Sequence, residues 1–394
     1  MQHQYSIPGS EYSDNYPSIA DLEIPAKRRI PFFAWEYLDS GTGLERLVPH
    51  NRERLQAIEM VPRFFDGNFK IPLQTKLLGE TYDSPFGIAP VGMTGLMWPG
   101  GEKLLAKTAA RNNIPYGLST VACQTPETVG PLCEGNGWFQ LYVPSDREMC
   151  IDVINRAWQS GFRTLIVTAD VPTPSMRERQ RKAGLKVPPD NSLKSLFRVA
   201  IRPHWAWATL RHGKPGFPTL EKYAKSDDMQ EVSSFLGREL SDALNLEYLK
   251  FIRDNWQGKL IVKGILHEDD AKKLVKAGVD GIVVSNHGGR QFDGAPAAID
   301  VLPVIVKAVG KKCAIIYDSG IRSGLDVIRA LALGAEFVLL GRPFLYGIAA
   351  LGEFGGDHVV EILNADLTNN YRQLGVRDIS QLSSCLRQPA NNQS

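Results

Sequence analysis

Eight short apolar segments recur along the chain after residue 86, and most are followed by a segment with helical periodicity. Short apolar runs rich in β-branched residues are typical of buried parallel strands. Eight strand–helix units predict an α/β fold of the (β/α)8 TIM-barrel type, because eight is the strand number that closes this barrel. A doubly wound open sheet is the alternative, since a strand count does not show closure. The segments cover residues 87–91, 116–119, 138–143, 164–168, 259–265, 281–285, 314–318 and 337–341.

The predicted barrel domain spans residues 31–382. Residues 1–30 are polar and contain three prolines, so they predict an extended N-terminal arm. Residues 31–63 predict an N-terminal helical segment whose short helices are broken at Gly41-Thr42-Gly43. A long excursion over residues 171–245 follows the fourth strand, and residues 383–394 are predicted to be a C-terminal tail.

The composition argues against several classes of protein. A formal net charge of +2 over 394 residues does not suit a strongly basic nucleic-acid binder, and no zinc-finger spacing occurs. The five cysteines lack CxxC spacing, which predicts reduced thiols and neither disulfides nor a metal site. The first residues include Glu11 and Asp14 and lack the apolar core of a signal peptide. No run approaches the ~20 apolar residues of a membrane span, so we expect a cytoplasmic protein.

Polar or charged residues follow nearly every predicted strand. In a parallel barrel the carboxyl ends of all strands meet at one face, and active sites lie there. Lys263 is unusual because it lies inside the apolar run 260–265. A buried lysine needs an anionic partner or loses its charge, unless its stem snorkels to solvent. The strand ends are residues 90–92, 119–120, 140–142, 168–170, 263–264, 285–287, 318–320 and 341–342.

The segment Ser-Asn-His-Gly-Gly-Arg-Gln-Phe-Asp at 285–293 follows the sixth strand. His287 can exchange a proton near neutral pH, and Arg290 can bind a carboxylate through two parallel hydrogen bonds. The glycines between them tolerate positive φ and leave room for a flat ligand against the backbone. These residues therefore predict acid–base chemistry on an anionic substrate. A capped turn with a solvated arginine is the alternative.

Two glycine-containing loops follow the seventh and eighth strands, at 318–322 and 340–343. In this type of barrel such loops form a phosphate site from backbone N–H groups and a helix N-terminus. Arg322 and Arg342 would add positive charge. Neither GxGxxG nor GxxxxGK[ST] occurs, so a nicotinamide or nucleoside triphosphate site is not supported and a monophosphate ligand is expected.

These segments together resemble the FMN-dependent L-2-hydroxy acid dehydrogenase/oxidase family, which includes bacterial L-lactate dehydrogenase, (S)-mandelate dehydrogenase and glycolate oxidase. The most specific similarity is Ser-Asn-His-Gly-Gly-Arg-Gln at 285–291, followed by Asp293. Residues 89–92, 118–121, 138–143 and 204–207 are most similar to the bacterial lactate and mandelate dehydrogenases, whereas 39–43 depart from the commoner family pattern. The resemblance implies bound FMN and oxidation of an L-2-hydroxy acid to the 2-oxo acid.

The resemblance also implies roles for single residues. His287 is similar to the family's base, oriented by Asp170, and Lys263 to the lysine beside the flavin pyrimidine. The implied catalytic residues are His287, Asp170, Arg290 and Tyr142. The implied substrate ligands are Tyr37, Tyr142, Arg177, His287 and Arg290. The implied FMN ligands are Pro90, Val91, Gly92, Ser119, Gln140, Thr168, Lys263, Ser285, Asp318, Gly320, Arg322, Gly341 and Arg342.

Residues 191–220 contain basic and aromatic side chains and no acidic residue. Such a stretch favours an anionic membrane surface, with aromatic rings at the interface. The alternative is an ordinary lid whose charges are solvated and whose tryptophans are core. The resemblance favours peripheral contact with the inner face of the cell membrane and electron transfer to quinone. The basic residues are Lys194, Arg198, Arg202, Arg211 and Lys214, and the large apolar ones include Leu196, Phe197, Trp205, Trp207 and Phe217.

Other functions remain open at this point. A soluble oxidase of the same family would produce hydrogen peroxide instead of reducing quinone. A flavin-binding isomerase would share the phosphate loops but would not need the second arginine, Arg177. A non-catalytic flavin sensor would be expected to lack the base, whereas His287 and Asp170 are both present. The resemblance further implies a homotetramer.

Overall fold

The computed structural model describes residues 14–65, 67, 69, 71–184, 193–224, 235, 239–240 and 244–387. Eight parallel strands form a closed barrel, in which the last strand, Phe337–Leu340, pairs with both Ala314–Tyr317 and Phe86–Ile88. The predicted (β/α)8 barrel is confirmed, and the open-sheet alternative is wrong. The barrel strands are β3 (Phe86–Ile88), β4 (Tyr116–Ser119), β5 (Gly137–Leu141), β6 (Thr164–Thr168), β7 (Lys259–Ile265), β8 (Gly281–Val284), β9 (Ala314–Tyr317) and β10 (Phe337–Leu340).

Helices surround the barrel and turn apolar side chains towards the strands; the helix Gly101–Arg111, for example, buries Leu105, Ala106 and Ala109. The helices of the described chain are α1 (Ile19–Arg29), α2 (Phe32–Asp39), α3 (Leu47–Gln56), α4 (Thr94–Met97), α5 (Gly101–Arg111), α6 (Pro126–Val129), α7 (Arg147–Gln159), α8 (Glu178–Lys182), α9 (Leu193–Ala200), α10 (Pro203–His212), α11 (Glu221–Ala224), α12 (Leu246–Asn255), α13 (Glu268–Lys276), α14 (Ala298–Val309), α15 (Gly324–Ala332), α16 (Arg342–Leu351) and α17 (Gly355–Leu374). Short 3-10 helices cover Gly130–Cys133, His287–Gly289, Gly352–Phe354 and Ile379–Cys385.

The barrel interior consists of an apolar layer followed by a polar one. The apolar layer packs on Leu77 and Tyr82 of a hairpin formed by β1 (Thr75–Leu77) and β2 (Glu80–Tyr82), which the sequence analysis did not predict. Side chains alternate along a strand with period two, so the residue two positions later faces the same interior. The apolar layer includes Trp138, Ile166, Ile261, Val283 and Ile316. Two positions later come Gln140, Thr168, Lys263, Ser285 and Asp318, all buried.

Five strands end one to three residues earlier than predicted. In two of these strands the sequence stays largely apolar past the last strand residue, at 89–91 and 142–143, and in the other three the prediction includes one residue too many. Consequently Val91, Tyr142, Ser285, Asp318 and Gly341 lie in loops at the carboxyl end of the barrel.

The prediction of an extended arm over residues 1–30 is wrong for residues 19–29, which form α1. The helix begins after Ser18, whose hydroxyl donates to Asp21 Oδ2 at 2.6 Å. It buries Ile19 and Leu22 and packs on α16. This burial outweighs the hydrogen bond that Pro25 cannot donate. Residues 1–13 lie outside the described residues.

The excursion after β6 contains α8 to α11. The prediction that its aromatic side chains face a membrane is wrong for Trp205 and Phe217, which are buried. Trp205 Nε1 donates to the carbonyl of Leu96 at 3.0 Å. Trp207 is 69% exposed, because two helical positions differ by about 200° in direction. The side chains of Lys194 and Leu196 lie outside the described residues.

The predicted tail over 383–394 is wrong for residues 383–387. Cys385 is buried, Leu386 forms a β-bridge with Met60, and the Val61 N–H donates to the Cys385 carbonyl at 2.7 Å. Residues 388–394 lie outside the described residues. Within the described chain, no helix has both the length and the apolar composition needed to cross a bilayer.

Candidate active site

A cavity of about 410 Å³ opens at the carboxyl ends of the strands. Its lining contains most of the residues that the sequence predicts for the site, drawn from all parts of the chain between α2 and α16. This is the face at which barrels of this type carry their active sites. The predicted residues in the lining are Tyr37, Pro90, Val91, Gly92, Tyr142, Arg177, Lys263, His287, Arg290, Asp318, Gly320, Arg322, Gly341 and Arg342.

The other predicted residues lie next to the lining. The Ser119 hydroxyl donates to Gln140 Oε1 at 2.6 Å, and Gln140 Nε2 donates to Thr168 Oγ1 at 2.9 Å. These three residues form one hydrogen-bonded chain across β4, β5 and β6. Ser285 and Asp170 contact Lys263 and His287 respectively. All predicted site residues are thus brought together at one end of the barrel.

Lys263 is buried with an anionic partner and does not snorkel to solvent. Its Nζ lies 3.0 Å from Asp318 Oδ2 and donates to Ser285 Oγ at 2.9 Å. Burial alone would lower the pKa of Lys263, but Asp318 and Asp170 hold it above its usual value. The lysine is therefore a fixed positive charge at the base of the cavity.

His287 and Asp170 form a pair that joins the loop after β8 to the end of β6. His287 Nδ1 lies 2.9 Å from Asp170 Oδ1. Gly264 makes this approach possible, because a Cβ there would lie 2.4 Å from Asp170 Cγ. Burial alone would raise the pKa of Asp170, but His287 and Lys263 hold it below its usual value. An ionised Asp170 can only accept, so Nδ1 carries the proton and Nε2 keeps its lone pair.

Arg177 and Arg290 line the same cavity although 113 positions separate them. Arg177 Nε donates to Ser175 Oγ at 2.9 Å and its Nη2 donates to Gln291 Oε1 at 3.0 Å. Arg290 Nη1 donates to the Tyr37 carbonyl at 2.7 Å. Burial and the neighbouring Arg177 lower the pKa of Arg290 to about 9. Two confined cations of this kind form a site for an anion.

Sequence reasoning missed several residues that shape the site. Gln291 was visible in the motif beside Arg290, and its bond to Arg177 suggests a role in holding that side chain. Ser175 and the apolar lining carry no local pattern that distinguishes them from other core residues. The missed apolar residues include Met97, Val171, Pro174, Phe217 and Leu240.

The loops after β9 and β10, which the sequence predicts to bind a phosphate, line the cavity. Gly320 has φ +94°, and a Cβ there would lie 3.0 Å from Leu55 Cδ1. Arg322 Nε is buried and has no hydrogen-bond partner among the described residues. The ten-residue helix α16 begins directly after Gly341. Arg342 Nη1 donates to the Gly288 carbonyl at 3.1 Å, so this arginine also ties the loop of His287 to α16.

Comparison with known proteins identifies the family. The family model for FMN-dependent dehydrogenases matches residues 26–388. The chain belongs to the FMN-dependent dehydrogenase family. (S)-mandelate dehydrogenase of Pseudomonas putida is 36% identical over 371 residues, covering 94% of this chain and 93% of that protein. L-lactate dehydrogenase of Acinetobacter baumannii is 38% identical over 371 residues, covering 93% of this chain and 97% of that protein.

A solved structure gives the same assignment. The crystal structure of the monotopic membrane protein (S)-mandelate dehydrogenase matches this dehydrogenase with a TM-score of 0.90 at 36% identity. The match covers 95% of this chain and 100% of that one. The family resemblance and the FMN cofactor predicted from the sequence are therefore confirmed.

The residues of the cavity fit FMN. The unpartnered Arg322 Nε and the N-terminus of α16 suit a phosphate, and Lys263 suits the negative charge that reduction places on a flavin. The residues that would hold the phosphate are Gly320, Arg322, Gly341 and Arg342. Asp318 would accept from the ribityl hydroxyls, and the backbone of 90–92 would lie against the ring.

Arg322→Met should weaken FMN binding through the phosphate alone. A hydrogen bond to a charged group is worth ~1.5–3 kcal/mol, so Kd should rise ~10–100-fold. Titration of the apoprotein with FMN and with riboflavin measures the effect, and riboflavin is the control because it has no phosphate. An equal loss of affinity for both ligands would show that Arg322 does not contact the phosphate.

Proposed function

We propose that the protein oxidises an L-2-hydroxy acid of the lactate or mandelate type to the 2-oxo acid and passes the electrons to a quinone. The observation that carries the proposal is the His287–Asp170 pair beside two arginines in one cavity. The chemistry that bound FMN supplies is acceptance of the two electrons removed from the substrate's α-carbon. The protein must then take a proton and hold the carboxylate.

His287 is the base of this proposal. Its Nε2 lone pair is free to take a proton because Nδ1 is held by Asp170, whose negative charge stabilises the imidazolium that forms. Burial lowers the pKa of His287 below its usual 6.5, and Asp170 opposes this effect. The base is therefore mostly neutral, and ready to accept a proton, at neutral pH.

Arg177 and Arg290 would bind the substrate carboxylate. The carboxylate would compensate two positive charges that the cavity brings close together. Burial raises the pKa of Tyr142 to about 12, so its hydroxyl stays protonated and can donate a hydrogen bond. Tyr37 supports Arg290 through its ring, whose centroid lies 5.0 Å from the guanidinium carbon.

The substrate's side chain would face an apolar part of the cavity. Val121, Met97 and Phe217 belong to its lining. An apolar wall suits a methyl or aryl group and disfavours a second charge, since a buried charge needs a partner. The names of the lactate and mandelate dehydrogenases among the relatives support the same substrate class.

Membrane contact is proposed for the face formed by α9 and α10. Phe197, Ile201, Trp207 and Leu210 are exposed there. Arg211 is exposed among them, whereas Arg198 and Arg202 are half-buried and donate to the carbonyls of Ala183 and Ile30. An exposed basic residue near anionic headgroups contributes ~1 kcal/mol. The relative described as a monotopic membrane protein supports this proposal. A quinone dissolved in the bilayer would then be the acceptor, and a homotetramer remains our expectation.

His287→Gln should keep FMN bound but slow its reduction by substrate. Loss of a general base costs ~10²–10⁴-fold in rate, because the substrate's proton then has no acceptor. Anaerobic stopped-flow absorbance measures the reduction. His50→Gln is the control, since His50 is exposed on α3. An unchanged reduction rate in His287→Gln would remove the histidine from the mechanism.

The pH dependence tests the His287–Asp170 pair. Since the neutral imidazole is the active form, kcat/KM should rise with pH, and the midpoint of this rise should lie below the usual histidine pKa of 6.5. Asp170→Asn removes the charge that raises the pKa of His287, so the acid limb should move to lower pH while the plateau falls ~10²-fold or more. A limb that moves to higher pH would contradict the pairing.

Trp207→Ser combined with Leu210→Ser should weaken binding to anionic vesicles. Full burial of one such side chain contributes ~1.5–3 kcal/mol, so partitioning should fall at least ~10-fold. Sedimentation with phosphatidylglycerol vesicles at low and high salt measures this, and Val304→Ser, at another exposed apolar position, is the control. Fast stoichiometric formation of peroxide without vesicle binding at any salt would indicate a soluble oxidase.

A further inference from the structure

Each of residues 177–180 forms a hydrogen bond with a residue of the segment 36–45. We call this set of hydrogen bonds the clasp. The Arg177 N–H donates to Thr42 Oγ1 at 3.4 Å. The Gly43 N–H donates to Glu178 Oε2 at 2.9 Å, and Gln180 Nε2 donates to Ser40 Oγ at 3.0 Å. The clasp joins the end of α2 to the beginning of α8 although more than 130 positions separate them.

Arg179 is the centre of the clasp because it bonds three carboxylates of 36–45. Its Nε and Nη2 donate to the two oxygens of Glu36 at 2.6 and 3.0 Å. Nη1 donates to Glu45 Oε2 at 2.8 Å, and Nη2 also donates to Asp39 Oδ2 at 3.1 Å. The Glu36 side chain is 10% exposed and that of Arg179 is 37% exposed, so this bidentate bond is partly shielded from solvent.

The clasp bears directly on the two arginines of the cavity. Arg177 is the residue before α8 and has φ +39° and ψ 57°, a left-handed conformation that is uncommon for residues other than glycine. Such a conformation persists only where its surroundings hold it. On the other side of the clasp, the carbonyl of Ser40 accepts from Arg290 Nη1 at 3.0 Å.

We propose that Arg179 is a positioning residue that sets Arg177 for the substrate carboxylate. Arg179 lies outside the residues that line the cavity and acts by fixing α8 against 36–45. The proposal rests on the proposed function, because it takes Arg177 as a carboxylate ligand.

The first test separates substrate binding from chemistry in the FMN-loaded enzyme. Arg179→Gln should raise KM for L-lactate or (S)-mandelate ~10-fold, while the rate of flavin reduction at saturating substrate changes less than ~3-fold. Arg179→Lys should give an intermediate KM, because an ammonium cannot reproduce the planar fork that serves three carboxylates. Arg181→Gln is the matched control, since Arg181 is exposed on the same helix.

A double-mutant cycle shows whether the effect passes through Arg177. If Arg179 positions Arg177, Arg179→Gln should raise KM far less in an Arg177→Lys background than alone. If the effects of Arg179→Gln and Arg177→Lys on KM simply multiply in the double variant, the proposal is overturned. A lower melting temperature of Arg179→Gln with an unchanged KM would also overturn it. If Arg177→Lys itself leaves KM unchanged, the proposed carboxylate ligand is wrong and the positioning role is wrong with it. Should Arg179→Gln not fold, Arg179→Lys carries the same cycle.

Discussion

The buried ion pair between Lys263 and Asp318 places a positive charge at the end of the barrel where the ligand cavity opens. Their side chains are 6% and 10% exposed, with Nζ and Oδ2 at 3.0 Å. A charge at such depth is tolerated only with a close partner, and removing one partner of a buried pair costs ~3–5 kcal/mol. Strands β7 and β9 must therefore keep their register on both sides of β8. Ile261 and Ile316, two residues earlier on the same strands, supply the apolar layer beneath.

The same lysine links the cofactor end of the cavity to the proton chemistry. Its charge helps to hold the pKa of Asp170 down, and it also lowers the pKa of His287. Asp170 then remains an acceptor and His287 a neutral base. One buried cation thus favours a negatively charged cofactor and adds to the effects of burial and of the His287–Asp170 contact on the protonation of the pair that takes the substrate's proton.

Much of this arrangement follows from the sequence. The strands were predictable because their apolar runs are short, and the site because polar residues follow them at the face where parallel strands end. Lys263 was identifiable because it lies in an apolar run, where a buried lysine needs an anionic partner. Asp318 is that partner. The hairpin of β1 and β2 was not predicted, since its three-residue strands carry too little periodicity.

Long-range placement was beyond sequence patterns alone. Arg177 lines the same cavity as Arg290 because the excursion folds back onto residues 36–45. Hydrogen bonds such as that from Arg179 to Glu36 hold it there. Pro25 led to the prediction of an extended arm where α1 forms. The packing of α1 on α16, which stabilises the helix, is a tertiary contact that no local pattern indicates. Trp205 and Trp207 look alike in the sequence, yet helix orientation buries one and exposes the other.

In the proposed reaction, this chain removes the α-hydrogen of an L-2-hydroxy acid with FMN as the electron acceptor. The most direct test is anaerobic mixing of the holoenzyme with L-lactate or (S)-mandelate that carries either hydrogen or deuterium at the α-carbon. We expect the flavin absorbance to bleach with the L substrate, more slowly with deuterium, and not with the D enantiomer. A flavin that remains oxidised with both L substrates, or that bleaches equally with both enantiomers, would contradict the account.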